Sequence, residues 1–258
     1  MSKVMTAAPV KGGERVVMLD ILRGGAMVLV VFYHIVYDLR FIYGLHIPAA
    51  ITPGQRGFEL LHICFLWVLF AVSGICSGYS RDPVKRGAVL YIIGFLITFG
   101  TTLFMPSELI VFGVLSCFGA CMVITGLIKP LLERIPWHIR FIAAVVLWIM
   151  LRNFHHSGAV DLIFTQIRLP RIDSDNLYPI GITGEHFKSA DYFPIIPFIF
   201  IFLAGNALYE PISQHKLPQW FYNAKCAALE FMGRHSLIIY AVHQPILLIF
   251  FGIIFGNT

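Results

Sequence analysis

Seven apolar stretches dominate this chain, at residues 16–38, 57–79, 87–105, 109–128, 137–152, 192–209 and 235–256. A helix needs about 20 apolar residues to cross a bilayer, and most of these stretches have that length. Lipid offers no partner to backbone N–H and C=O groups, so such segments cross as helices that pair those groups internally. The pattern predicts an all-α polytopic membrane protein, a bundle of about seven transmembrane helices. Composition agrees: 58% of the 258 residues are hydrophobic and 13% are charged, where a soluble domain carries about a quarter charged. One domain over residues 1–258 is expected, with its membrane bundle at 15–256, multi-pass in the cell membrane and in contact with the lipid bilayer.

The residues before the first stretch are polar, and that stretch is long and charged, unlike a cleaved signal. It is expected to remain as the first span. Five cysteines, Cys64, Cys76, Cys117, Cys121 and Cys226, include no CxxC pair, and four sit in apolar segments. They predict neither a disulfide framework nor a metal site. The net charge of +5 comes without a basic run interleaved with aromatics, so no nucleic-acid partner is expected.

Orientation follows from lysines and arginines in short loops. Lys3, Lys11, Arg15, Arg81, Lys85, Arg86, Lys129, Arg134, Lys216, Lys225 and Arg234 fall on one side, and only Arg40 and Arg56 on the other. Eleven against two predicts a cytoplasmic N-terminus. The long polar segment 153–191 is then an extracytoplasmic loop, and 210–234 is expected to hold an interfacial helix near Phe221–Phe231.

The first span, LDILRGGAMVLVVFYHIVYD, keeps Asp20, Arg23, His34 and Asp38. Ionisable groups at membrane depth are costly, and a functional cause is the default reading. Arg23 and His34 are eleven residues apart, close to three turns, hence on one face and roughly 16 Å apart along the axis. Asp20 lies one turn before Arg23 and Asp38 one turn after His34. The Asp20–Arg23 pair also reads as a packing lock. An imidazole oriented by a carboxylate is an arrangement general-base catalysis uses, which makes His34 with Asp38 a catalytic candidate. Glu59 and His62, one turn apart, are a second acid–base pair, assigned to the substrate side. Gly74 and Gly78 form a GxxxG that reads as close helix packing. Tyr240, His243 and Gln244 precede Pro245, where a kink is expected to free carbonyls and open space; His243 reads equally as a core histidine. His138, His155, His156, His186 and His215 read as solvated loop residues.

The segment from Asp20 to His34, with ten residues between Arg23 and His34, resembles the first-helix signature of transmembrane acyltransferases. These comprise the acyltransferase 3 proteins and the related heparan-α-glucosaminide N-acetyltransferase catalytic-domain family. LWVLFAVSGICSGYSR (66–81) is similar to the second helix of the latter branch. FMGRHSLIIYAVHQPIL (231–247) resembles the closing helix of both, which tends to read G-R-x-S-L-x-x-Y-x-x-H-Q-P. The resemblance implies transfer of an acyl group, usually acetyl from acetyl-CoA and without a metal, to a carbohydrate acceptor across the membrane. A thioester acyl transfer needs a base for the acceptor, and His34 or His46 supplies it. The choice is open because the heparan-glucosaminide branch tends to place an Asn at the position of His34 and its reactive His about eleven residues later, near His46. The chain is also shorter than the lysosomal enzyme.

Donor phosphates need cations, and the donor-binding set is Asp20, Arg23, Ser77, Arg81, Arg86, Arg234, His243 and Gln244. The cluster Arg81, Lys85 and Arg86 equally satisfies the positive-inside rule. Two other functions compete. A transporter or flippase for a small metabolite or lipid-linked sugar would use the same charges as a relay, but no inverted repeat is visible. A receptor or structural role leaves Arg23, His34 and His243 unexplained. A homodimer is a candidate assembly.

Overall fold

Each of the seven apolar stretches folds as a helix. In the computed structural model, which describes residues 15–162, 165–168, 174 and 176–256, α1 is Val17–Tyr37 and runs on into a π-helical turn at Asp38–Ile42. Next come α2 (Arg56–Gly78), α3 (Pro83–Phe104), α4 (Val114–Leu127), the single turn α5 (Lys129–Leu132) and α6 (Trp137–Leu151). A short α7 (Phe154–Ser157) leads to an antiparallel hairpin, β1 (Ala159–Asp161) and β2 (Gln166–Arg168), with Ala159 opposite Arg168. The chain closes with α8 (Ile195–Ser213), α9 (Gln219–Asn223), α10 (Ala227–Arg234) and α11 (Ser236–Phe255). Lys3 and Lys11 of the charge pattern, and Arg171, Asp173 and Asp175 of the long polar segment, lie outside the described residues.

Five of the described helical segments, Val17–Ile42, Ala49–Gly78, Pro83–Phe104, Ile195–Ser213 and Ser236–Phe255, are long and apolar enough to cross a membrane. The protein is an all-α polytopic membrane protein. The expected fourth and fifth spans are the shorter helices α4 and α6. α4 is packed inside the protein: Leu115, Cys117, Phe118 and Cys121 are all buried. α3 is the opposite case. Its buried residues are Gly87 and Gly94, and a Cβ on either would collide with α4, at Gly119 and at Ser116. Its other faces leave Ile92, Phe95, Leu96 and Phe99 exposed, a surface suited to acyl chains.

Small residues bring the backbones together elsewhere as well. A Cβ on Gly74 of α2 would strike the Phe202 carbonyl of α8, and one on Gly205 would strike Ala71. Gly24 of α1 and Gly233 of α10 leave the same narrow gap, against the carbonyls of Leu229 and Asp20. The core fills in around Phe70 and Phe202, both fully buried, with Phe70 stacked on Phe198 at 4.7 Å. Arg140 of α6 pairs with Glu210 of α8 at 2.9 Å.

Three expectations change. The interfacial helix of 221–231 is two helices, α9 and α10, because Ala224 and Cys226 are extended. α11 runs through Pro245 as one helix, so the expected local kink does not break it. The end of the long polar segment joins the core. Ala190 donates to the Leu109 carbonyl at 2.8 Å, Phe193 to that of Phe112 at 3.1 Å, and Val111 to Ser189 Oγ at 2.9 Å. Those bonds carry Asp191 into the bundle.

Candidate active site

Arg23 and His34 line one cavity of about 600 Å³. Their spacing on α1 stretches it between two chemically different ends. α2 contributes His62, Ser73 and Cys76; α3 gives Arg86; α4 gives an apolar wall through Leu115, Phe118 and Met122; the α10–α11 junction gives Arg234 and Tyr240.

The first end is cationic. Arg23 donates through Nη2 to Cys76 Sγ at 2.6 Å and holds Asp20 at 3.6 Å. Asp20 is buried and also takes the Arg15 guanidinium. It therefore holds arginines in place and does not line the cavity. Arg86 and Arg234 do line it, Arg234 with Glu230 at 3.2 Å. An adjoining groove of about 780 Å³ shares Arg86 and Leu90 and adds Arg81 and Lys85. Among the described residues, none of Arg81, Lys85 and Arg86 forms an ion pair. Asp82 shares the groove lining, and three cations against one carboxylate leave the groove net positive and suited to an anion.

The second end holds imidazoles, phenols and a carboxylate. The His34 ring lies edge-on to that of His243, centroids 4.8 Å apart. His62 stacks on Tyr33 at 4.0 Å, and its Nδ1 is 3.7 Å from Glu59 Oε2. The other Glu59 oxygen accepts from the Gly54 N–H at 2.7 Å, which fixes the carboxylate. His243 is buried and bonds the Tyr240 carbonyl through Nδ1 at 2.6 Å. A carbonyl only accepts, so Nδ1 carries the proton and Nε2, without a partner among the described residues, is the acceptor. The Val114 N–H at the start of α4 and the Tyr240 hydroxyl favour the ionised form of Asp191, but burial outweighs them and pushes its carboxyl up to about 6.

Several expected assignments are revised by this geometry. Asp38 does not bond His34: it is fully buried and accepts from Gln244 Nε2 of α11 at 2.9 Å, its second oxygen without a partner among the described residues. Four residues at 100° each leave it about 40° round the helix from His34, turned to α11. Gln244 is engaged there and not at the cationic end, and His243 stands beside His34. Ser77 lies about 100° beyond Cys76, facing α8; its hydroxyl donates to the Gly74 carbonyl at 2.7 Å and accepts from Asn206 at 2.9 Å. His46 is exposed in the loop after the π turn and lines no part of the cavity.

Tyr33, Cys76 and Asp191 escape the sequence reading. Tyr33 and Cys76 read as ordinary span residues, and Asp191 as the end of a solvated loop. The one available signal is that Asp191 immediately precedes an apolar run.

The family model described as heparan-alpha-glucosaminide N-acetyltransferase, catalytic, matches residues 15–245. The chain belongs to this family. The match takes in α1 to α10 and α11 as far as Pro245, so both cavity ends lie inside it. No curated protein and no solved structure matches the chain. Membership in the heparan-alpha-glucosaminide N-acetyltransferase catalytic family makes this a membrane acyltransferase.

Proposed function

We propose that this acyltransferase takes an acetyl group from acetyl-CoA and passes it to a hydroxyl or amine of a carbohydrate on the opposite side of the membrane. The supporting observation is the single cavity that joins Arg23, Arg86 and Arg234 to His34 and His62. The donor fits the cationic end, with its phosphates on Arg81, Lys85, Arg86 and Arg234 and its thioester extended towards His34. The rise of α1 over eleven residues, roughly 16 Å, suits an extended pantetheine arm. The charge pattern puts the cationic end, and the N-terminus, in the cytoplasm.

His34 acts as the base. The acceptor oxygen or nitrogen attacks the thioester carbonyl and gives up its proton to His34 as the new bond forms. The C–S bond then breaks, and the proton passes to the departing sulfur to leave free CoA. His34 is favoured over His46 because it alone of the two lines the cavity. His62, steadied by Glu59, stands on the acceptor side, and the role of Asp38 is to anchor α1 to α11 through Gln244.

A ligand that binds only the folded state stabilises it by about 2.7 kcal/mol at a hundred times its Kd. Acetyl-CoA is therefore expected to raise the melting temperature of the detergent-purified protein. Arg86→Ala should shrink that rise, and Arg40→Ala, at the other end of α1, should not. No rise at millimolar acetyl-CoA, or equal rises in the two variants, would overturn the donor assignment.

A further inference from the structure

Asp191 is the one carboxylate among the described residues that line the cavity. Its place there is built. Ser189 Oγ donates to the Asp191 carbonyl at 2.9 Å and bonds Val111, and Ala190 and Phe193 flank it with backbone bonds to the 109–112 segment. Gly113 makes room for it, since a Cβ there would stand 3.1 Å from Asp191 Oδ2. An ionised carboxylate offers about four lone-pair directions. Lining the cavity, the carboxylate can offer them to donors bound inside it. Across the same end, Tyr33 and His62 present a stacked pair of rings.

We infer that Asp191 and the Tyr33–His62 pair form the acceptor subsite, and that it takes a pyranose ring with adjacent hydroxyl or amine donors. Neighbouring donors on a ring can share one carboxylate, and the C–H face of a ring packs on aromatic surfaces. The negative charge also turns away the phosphates of the donor, so the cavity sorts its two substrates by sign. Fixing the carboxylate before binding lowers the cost of ordering it. This inference rests on the acyl transfer proposed above.

The test is CoA release from acetyl-CoA by the full-length protein, followed chromatographically, with glucosamine, methyl glucoside or ethanolamine as acceptor. The two sugars are expected to stimulate release by the unaltered protein. Asp191→Asn should raise their half-saturating concentration about 10–100-fold, the loss expected for a hydrogen bond to a charged group. It should leave the half-saturating acetyl-CoA concentration within a few-fold. Tyr33→Leu, which keeps Asp191, should also weaken both sugars and spare acetyl-CoA, and serves if Asp191→Asn does not fold. Equal sugar dependence in protein and variants overturns the subsite, as does a shift in acetyl-CoA dependence alone, or stimulation by ethanolamine with none by either sugar. A protein that neither binds nor cleaves acetyl-CoA removes the acyl-transfer reading itself.

Discussion

Two histidines compete for the base, and their surroundings separate them. His34 lines the cavity beside His243, and His46 is exposed outside it. Loss of a general base typically costs roughly 10²–10⁴-fold in rate. His34→Ala is expected to lower transfer by that factor while the acetyl-CoA melting shift persists, and His46→Ala to stay near the unaltered rate. The reverse result would move the base to His46. Asp38 separates two further accounts. Were it an orienting carboxylate, Asp38→Asn would cripple transfer. Held instead by Gln244 at 2.9 Å, its second oxygen without a partner among the described residues, Asp38 can become Asn with its accepting oxygen kept. Turnover of Asp38→Asn is therefore expected within a few-fold of the unaltered protein.

At the scale of the helices, glycines decide how the arginines are presented. Gly24 and Gly233 let α1 and α10 touch, and Arg234, next to Gly233, lines the cavity with Arg23 of α1. Overpacking such a contact costs typically 1–3 kcal/mol. Gly233→Ala is therefore expected to lower the melting temperature in detergent and to weaken the response to acetyl-CoA. Gly25, the neighbour of Gly24, meets nothing within 4 Å. Gly25→Ala should leave the melting temperature unchanged or raise it, because Ala favours helix by roughly 0.5–1 kcal/mol over Gly. Equal losses in both variants would argue against the close contact. α3 sits at the other extreme. Its apolar faces are exposed, and it is joined to the bundle chiefly through α4.

Across the whole molecule, the proposed reaction requires that the two cavity ends open to opposite sides of the membrane. The turn with Arg81, Lys85 and Arg86 belongs to the cationic end, and the segment leading to Asp191 belongs to the other. Single cysteines introduced by Lys85→Cys and by Lys188→Cys should react with an impermeant maleimide from opposite faces of intact vesicles, Lys85→Cys only after the cytoplasmic face is exposed. Labelling of both from one face would sink the orientation and the donor-side assignment together.

The linear pattern of this chain is enough to determine that it is a helical membrane protein, where its helices lie, and that α1 carries reactive groups on one stripe. Hydropathy is local and additive, and 3.6-residue periodicity carries Arg23 and His34 to one face without reference to any other helix. The family resemblance is legible for the same reason, since its motifs are short contiguous stretches, of which 231–247 runs across the α10–α11 junction. Tertiary structure alone decided partnership. Asp38 faces Gln244, 206 positions away, in place of His34. Cys76, a plain apolar-segment cysteine in sequence, receives Arg23 across the α1–α2 contact. Asp191 reaches the cavity because a polar segment folds back on residues 109–112. A one-turn spacing says that two side chains can meet. Which of them do is settled by rotation about the helix axis and by neighbours distant in sequence, and neither is written in the local pattern.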